Sequence, residues 1–230
     1  MEHFQYIYNY CTVEYHRMIT AEDVDGNLLA TLSSLVPFQG MRVLDLGTGT
    51  GRIPIMLNGK AVQVVGLDIS RAMLHQNQTQ RAQFNGSWTL ICGDMRQLPI
   101  ISGWADITCA GWAIGHLQSW FSGEWRSQIG HVLSEMQRVA GPGGSLAILE
   151  TLGTGCLKPS PGKILAEYYR WLEQDWGFSS QVISTDYQFA SVNEAAKCTE
   201  FFFGPELVTQ IHQEGWSRLP EWTGVWWKKL

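Results

Sequence analysis

The sequence predicts an α/β protein with a mostly parallel sheet and helices on both of its faces. Five short apolar segments alternate with helical segments over residues 41–151, and this alternation is typical of βαβ crossovers. The apolar segments contain few polar residues, as expected for strands that are buried on both sides. The composition agrees, because 45% of the 230 residues are hydrophobic and only 16% are charged, which excludes a disordered chain.

Charge and cysteine content exclude several classes of function. The 16 basic residues are outnumbered by 21 acidic residues, so we expect no nucleic-acid partner. No apolar run reaches the roughly 18 residues of a membrane helix, and the first residues lack a basic region followed by an apolar one. The five cysteines are scattered and form no CxxC pair, so we expect no metal site and a cytoplasmic location.

The elements are assigned from apolar periodicity and from capping residues. Helices are predicted over 6–19 and 24–35, the second capped by Asp23 or Asp25, and they form an amino-terminal helical cap over 1–40. In the core, residues 41–151, strands are predicted over 42–46, 62–67, 88–92, 105–110 and 145–151. The intervening helices are 53–57, 70–84 and 125–139, with Ser70 as a natural cap and Met73 and Leu74 facing inward.

The pattern is less regular beyond Thr151. Residues 152–203 are predicted to form an insertion over the carboxyl edge of the sheet, with a helix over 162–176, a strand over 182–189 and a helix over 193–203. Residues 204–230 follow as a final helix, 205–214, closed by Gly215, and a terminal hairpin, 217–221 with 223–229, that completes the sheet. The whole chain, 1–230, is interpreted as one domain.

Three features fall at strand ends that share one edge of the predicted sheet. Gly47, Gly49 and Gly51 follow the first strand, and glycines there allow a tight turn and close approach of a ligand to backbone amides. Asp68 ends the second strand, where a carboxylate can accept from both ribose hydroxyls of a nucleoside. Asp94 and Met95 follow the third strand. Each feature alone also fits a turn or a helix cap, but together they favour nucleoside binding.

These residues form motifs that resemble the class I S-adenosylmethionine-dependent methyltransferases. The first motif is VLDLGTGTG at residues 43–51, the second is GLDIS at 66–70, and the third is CGDM at 92–95 followed by Leu98 and Pro99. The segment EMQRV at 135–139, followed by PGG at 142–144, resembles the helix and turn before the fifth strand of that family. The resemblance covers roughly residues 41–151 and is most similar to the small-molecule methylases related to ubiquinone and menaquinone methyltransferases.

The resemblance implies a Rossmann-like three-layer sandwich whose seven-stranded sheet has one antiparallel strand. It implies S-adenosylmethionine as cofactor, with the methionine portion over the glycine loop, the ribose on the acidic residue of the second motif and the adenine beside the third. The sulfonium would face the end of the fourth strand. On this resemblance, the cofactor-binding residues are Gly47, Thr48, Gly49, Gly51, Asp68, Ile69, Asp94, Met95, Ala110 and Gly111.

Two alternatives belong to other classes of protein. A dinucleotide-binding dehydrogenase needs glycine at the sixth position counted from Gly47, and that position is Arg52. A catalytically silent protein of the same fold, which binds the cofactor and acts as a partner or regulator, is consistent with all three motifs.

The acceptor side is less clearly marked in the sequence. His116, beyond the fourth strand, is the candidate base, although its position also favours capping or packing of the following helix. Tyr15, with Tyr8, Tyr10 and His16, is a candidate to close over the cofactor or to pack on the sheet. Six aromatic residues are interpreted as core or as an apolar acceptor pocket: Trp112, Trp120, Tyr168, Tyr169, Trp171 and Trp176. We expect a small-molecule acceptor and a monomer or homodimer.

Overall fold

The computed structural model describes residues 3–230; the first two residues of the predicted cap, Met1 and Glu2, lie outside the described residues. The helices are α1 (His3–Tyr10), α2 (Thr12–Thr20), α3 (Asn27–Leu35), α4 (Arg52–Leu57), α5 (Arg71–Gln83), α6 (His116–Trp120), α7 (Trp125–Ala140), α8 (Lys163–Gln174), α9 (Val192–Phe203) and α10 (Pro205–Glu214). The strands are β1 (Arg42–Leu46), β2 (Gln63–Asp68), β3 (Thr89–Cys92), β4 (Ile107–Gly111), β5 (Ser145–Thr154), β6 (Ser179–Ser184), β7 (Tyr187–Gln188), β8 (Arg218–Leu219) and β9 (Glu221–Lys229).

The main sheet has seven strands in the order β3-β2-β1-β4-β5-β9-β6. Strands β1 to β5 pair in parallel, and β9 pairs antiparallel with both β5 and β6. The predicted α/β class, the Rossmann-like layers and the seven strands with one antiparallel strand are therefore confirmed. The strand order reverses between β1 and β4, and this switch point is where open α/β sheets bind ligands.

Helices cover both faces of the sheet because side chains alternate along each strand. On β1, Leu44 and Leu46 belong to a core with α7 and α8, whereas Val43 belongs to a core with α3 and α4. Helix α5 begins as predicted, since the Ser70 hydroxyl accepts a hydrogen bond from the Met73 amide at 3.2 Å. Met73 and Leu74 are buried, also as predicted.

A third apolar cluster lies apart from the sheet and joins distant parts of the chain. Met18 and Ile19 of α2 belong to it together with Ala195 of α9, Ile211 of α10 and Leu219 of β8. The amino-terminal cap, the insertion and the final helix therefore share one core. We refer to this layer, α1, α2, α9, α10, β7 and β8, as the cap layer.

The predicted terminal hairpin is wrong. Strand β8 pairs with β7 in a separate two-stranded sheet, while β9 enters the main sheet between β5 and β6. Pro220 separates the two strands and offers no amide hydrogen. The following amide, that of Glu221, donates to the carboxylate of Asp186 at 3.1 Å. The chain therefore forms no hairpin at Pro220. It passes instead from β8 in the two-stranded sheet to β9 in the main sheet.

Two other predicted boundaries are also wrong. The strand predicted over 182–189 is interrupted after Ser184, so that β6 forms the edge of the main sheet instead of lying over it. The Asp186 carboxylate, which accepts from Ser184 and Arg218, lies at that interruption. The helix predicted over 6–19 is divided at Cys11, where φ is −120° and ψ is 36°.

Candidate active site

The glycine loop joins β1 to α4 at the switch point. Gly47, Gly49 and Gly51 have φ values of +65°, +52° and +102°, which favour glycine over any other residue. A Cβ on Gly47 would lie 2.4 Å from the Cβ of Ala113, so this position also excludes a side chain for lack of space. The segment thus folds into a tight turn whose backbone amides are not covered by side chains at the three glycines, and the glycine spacing predicts such a turn.

Asp68 ties this loop to the end of β2. Its carboxylate accepts from the Gly49 amide at 2.8 Å and from the Ser70 amide at 2.8 Å, and the residue is 9% exposed. Burial raises the pKa of Asp68, and the two amide donors oppose that rise because they stabilise the ionised form. Asp68 therefore orients the glycine loop, in addition to the predicted ribose contact.

The residues predicted to surround adenine follow β2 and β3. Ile69 is 63% exposed, next to Asp68, and Met95 lies near Gly47. The carboxylate of Asp94 is held by Arg96 in a salt bridge of 2.6 Å, and this guanidinium lowers the pKa of Asp94. In this conformation Asp94 is already paired, a contact that the sequence did not predict.

On the other side of the loop, β4 ends in a strained turn. Ala110 is fully buried in the core and does not line the cavity described below, whereas Gly111 does line it. The next residue, Trp112, has φ of +51°, an uncommon value for a bulky side chain, and its amide donates to the Leu149 carbonyl at 2.7 Å. Strain of this kind is concentrated at functional sites.

A cavity of about 760 Å³ opens beside the glycine loop, within the size range of ligand sites. It lies over the ends of β1, β4 and β5 and the start of β9, and the cap layer covers it. Of the predicted site residues, it brings together Gly47, Thr48, Gly49, Gly111, Tyr15 and His116. The others lie outside its lining, most of them on the β2 and β3 side of the loop: Gly51, Asp68, Ile69, Asp94, Met95 and Ala110.

Two buried polar atoms of the loop region have no hydrogen-bond partner among the described residues. They are Oδ2 of Asp45 and Oγ1 of Thr48, and both residues line the cavity. Burial raises the pKa of Asp45 to about 7. Buried polar groups are normally paired, and the Thr48 hydroxyl lies near enough to the Asp45 carboxylate to lower its pKa, so these atoms can pair with each other or with a bound ligand.

The first two helices lie against this region through Tyr8 and His16, whereas Tyr10 is 65% exposed. The Tyr8 hydroxyl lies 2.7 Å from Nε2 of His116, and Nδ1 of His16 lies 2.8 Å from the Thr50 hydroxyl. The Ser70 hydroxyl donates to the Tyr8 carbonyl at 2.8 Å. Helices α1 and α2 are thereby fastened to the glycine loop, to α5 and to α6.

His116 is half-buried at the cavity wall, where its ring stacks on Trp120 at 5.2 Å. Burial lowers the pKa of its imidazole to about 4, because the charged form is poorly solvated there. Burial also raises the pKa of Tyr8 well above its usual value. Both groups are therefore neutral near pH 7.

The far end of the cavity contains charged residues that the sequence analysis missed. Arg52 donates to the Glu22 carboxylate at 2.8 Å, and its guanidinium lies 4.1 Å from the centre of the Trp112 ring. Glu150 accepts from the Gly115 amide at 2.8 Å, and Glu221 accepts from the Thr151 hydroxyl at 2.7 Å. Burial raises the pKa of Glu150 to about 8, and burial together with the charge of Glu22 raises that of Glu221 to about 8.

Some of these residues carry a sequence signal and one does not. Arg52 stands in the first turn of a helix, where the macrodipole disfavours a cation. Glu150 interrupts an apolar strand, where an isolated carboxylate is rare. Glu22 follows a helix in an ordinary polar segment, and nothing in the sequence distinguishes it.

The predicted aromatic acceptor pocket is mostly core. Of the six aromatics proposed for it, Trp112 alone lines the cavity within the described residues. Tyr168 and Tyr169 are buried in the core with Trp226, and Trp171 and Trp176 pack against the same core.

Two searches of residues 3–230 concern other kinds of site. Within this range, no helix combines the length and the apolarity that crossing a membrane requires. The same residues contain no group of three or more His, Cys, Asp or Glu side chains placed to hold a metal ion.

Residues 43–144 match the family described as "Methyltransferase domain". The chain is 26% identical over 213 residues to the malonyl-[acyl-carrier protein] O-methyltransferase of Legionella pneumophila, covering 90% of this chain and 66% of that protein. It is 32% identical over 121 residues to the demethylmenaquinone methyltransferase of Beutenbergia cavernae, covering 53% of this chain and 45% of that protein. The chain thus spans less than two thirds of the length of either relative.

The fold is shared with solved structures. A SAM-dependent methyltransferase from Aquifex aeolicus superposes with a TM-score of 0.57 at 18% identity, covering 90% of this chain and 95% of that one. The strand order, the glycine loop at the switch point and the acidic residue at the end of β2 define a class I methyltransferase fold. Residues 43–144 are thus similar to a methyltransferase domain, and they lie within a fold that is shared with SAM-dependent methyltransferases.

Proposed function

We propose that the protein transfers a methyl group from S-adenosylmethionine to a small organic acceptor that enters the cavity of about 760 Å³. The observation that carries the proposal is the bare glycine loop at the switch point, with Asp45 and Thr48 presenting unpartnered polar atoms to the cavity. These features fit the cofactor, since its methionine portion carries an ammonium group that needs acceptors.

We assign the two sides of the glycine loop to the two substrates. On the β2 and β3 side, Asp68 would hold the ribose, with Ile69, Asp94 and Met95 about the adenine. On the β4, β5 and β9 side, the cavity walls beyond Asp45 and Thr48 would hold the acceptor. Gly111 lies where these two sides meet, at the end of β4, and a glycine there leaves room for the reacting groups.

When bound, the cofactor supplies an activated methyl group on a sulfonium, so the protein has mainly to align the acceptor and exclude water. Tyr8 and Tyr15 would exclude water from above, since both line the cavity. His116, neutral near pH 7, would position the acceptor by a hydrogen bond or take a proton from it. The five unpaired cysteines support a cytoplasmic location for this activity.

The test is calorimetric titration of the purified chain with S-adenosylmethionine, S-adenosylhomocysteine and NAD. We expect micromolar binding of the first two and none of NAD, on the order of affinity usual for metabolite-sized ligands. Binding of NAD alone would contradict the proposal and favour a dehydrogenase. If none of the three ligands binds, the cofactor assignment is wrong and only the fold assignment remains.

Asp68→Ala should abolish the heat of S-adenosylhomocysteine binding. The substitution removes the ribose acceptor and leaves the Gly49 and Ser70 amides without their partner, at about 1–3 kcal/mol for each buried donor. Asp175→Ala, at an exposed carboxylate after α8, is the matched control and should bind like the parent. Full binding by Asp68→Ala would show that Asp68 does not hold the cofactor.

A further inference from the structure

Two buried carboxylates at the far end of the cavity each have one oxygen without a partner. The Glu22 side chain is 3% exposed; its Oε2 accepts from Arg52, and its Oε1 has no hydrogen bond. Glu221 is 2% exposed; its Oε1 accepts from the Thr151 hydroxyl, and its Oε2 has no hydrogen bond. Both residues line the cavity.

The carboxyl groups that line the cavity favour a cation there, because a bound cation stabilises their ionised forms. Its acidic residues are Glu22, Asp45, Glu150 and Glu221, and its basic residues are Arg52 and Lys163. Lys163 is exposed to solvent, at the first residue of α8. That leaves one buried cation among four buried carboxyl groups.

Arg52 is a poor receptor for an anionic ligand. It is already paired with Glu22 at 2.8 Å, and Trp112 covers one face of its guanidinium. An anion at its remaining unpartnered atom, Nη2, would also lie near the Glu22 carboxylate. Like charges at short distance in a buried site oppose binding strongly.

We propose that the acceptor carries an ammonium group, which binds at the free oxygens of Glu22 and Glu221. The proposal rests on the proposed function and names the substrate class of that same site. The apolar remainder of the acceptor lies against the side chains of Ile19 and Trp112, which line the cavity. The ammonium group is the recognised group and is not required to be the methylated atom.

The titration behaviour of the site bears on this assignment, because Glu221 is mostly protonated at pH 7 when no cation is bound. The pKa of Glu221 is raised by burial and by Glu22, is lowered by Arg52 and by the hydroxyls of Thr151 and Thr154, and stands at about 8. Tyr187 also faces this group, from β7. A cation between these residues stabilises the ionised carboxylates that burial disfavours.

The test compares three probes of one shape in the presence of saturating S-adenosylhomocysteine: 2-phenylethylamine, 2-phenylethanol and 3-phenylpropionate. Binding is followed by calorimetry on the full chain. We expect the amine to bind at least about tenfold more tightly than the alcohol, and the carboxylate to bind more weakly than either, because charge-assisted hydrogen bonds to buried carboxylates favour the cation.

Glu221→Gln keeps the size of the side chain and an acceptor for Thr151 but removes the charge. It should reduce the advantage of the amine over the alcohol to less than about threefold, since a neutral amide is a weaker acceptor for a cation. Glu200→Gln changes the net charge equally at an exposed position of α9 and should keep the full advantage.

Two results would overturn the inference. One is an amine that binds no better than the alcohol, including the case in which neither binds, and the other is an advantage that survives in Glu221→Gln. The titration with S-adenosylhomocysteine separates this failure from failure of the proposed function. If the chain binds S-adenosylhomocysteine but shows no preference for the amine, the proposed cofactor is supported and only the proposed acceptor class is wrong.

Discussion

Burial decides what single residues can do in this site, and His116 is the clearest case. Its Nε2 lies 2.7 Å from the Tyr8 hydroxyl, and both side chains are neutral near pH 7. A neutral imidazole has one protonated and one free nitrogen. If Tyr8 donates to Nε2, Nδ1 carries the proton and acts as a donor; in the other tautomer, Nδ1 accepts.

We predict that His116→Ala lowers methyl transfer at least about tenfold, the size expected for loss of a positioned proton-transfer or hydrogen-bonding group. The affinity for S-adenosylhomocysteine should remain unchanged, because the hydrogen bond from Ser70 and the buried Ile7 side chain still hold α1 in place. Transfer is measured from labelled S-adenosylmethionine into a metabolite extract, with His75→Ala, at an exposed histidine of α5, as the control. The pKa of His116 lies at about 4. Titration of His116 should therefore cause no change in the methyl-transfer rate of the parent protein between pH 6 and pH 7. Unchanged transfer in His116→Ala would remove this residue from the mechanism.

The sequence predicts the residues of the glycine loop and Asp68 because local rules govern them. A left-handed turn requires glycine, and a carboxylate at a strand end is placed by the strand itself. The contacts of Glu22, Arg52 and Glu221 are long-range, and they form only when α2, the glycine loop and β9 have packed together.

Among the elements, α1 holds the cap layer over the glycine loop. Its contacts include the Ser70 hydroxyl to the Tyr8 carbonyl, the Tyr8 hydroxyl to His116, the His3 ring to the Phe202 carbonyl, the Phe4 ring on His116 and Phe202, and the side chain of Ile7, which is 1% exposed. A single short helix outside the sheet opens at a lower free energy than the core strands do.

We predict that Ile7→Ala detaches α1 without unfolding the sheet. Truncation of a buried isoleucine costs about 2–5 kcal/mol, and here that loss falls on the packing of one short helix. Hydrogen exchange should accelerate over 3–10 and remain unchanged in β1, and the affinity for S-adenosylhomocysteine should fall. Tyr6→Ala, on the same helix at a residue that is 53% exposed, should leave both properties close to the parent. Equal acceleration in β1 would show that α1 is part of the global folding unit.

The elements differ in how far their pairing can be predicted. Strands β1 to β5 lie close to their predicted positions, because an apolar run between turn residues is sufficient to identify a buried parallel strand. Strands β7 and β8 have only two residues each, and they pair with each other across about thirty residues of chain. No periodicity extends over two residues, and a strand followed by Pro220 and another strand resembles a hairpin. Tertiary pairing therefore decided the topology of this region.

Over the whole molecule, the buried carboxyl groups make stability depend on pH. The pKa of Glu150 and that of Glu221 are raised from about 4.5 to about 8, so the folded protein binds more protons than the unfolded chain between these values. Stability therefore falls as pH rises through this range. His116 acts in the opposite direction, because its lowered pKa costs stability only below about pH 6.5. Above pH 7 the carboxyl groups dominate.

We predict that the free energy of unfolding falls between pH 7 and pH 8 by up to about 1 kcal/mol for each of the two carboxyl groups. Glu150→Gln should reduce this fall, because an amide does not titrate and its oxygen can still accept from the Gly115 amide. The measurement is urea unfolding at a series of pH values, with Glu167→Gln, at an exposed carboxylate of α8, as the control. A fall of equal size in Glu150→Gln and in the parent would show that Glu150 is already ionised in the folded protein. The charge pattern that favours a cationic acceptor would then be stronger still, since the cavity would hold one more negative charge at neutral pH.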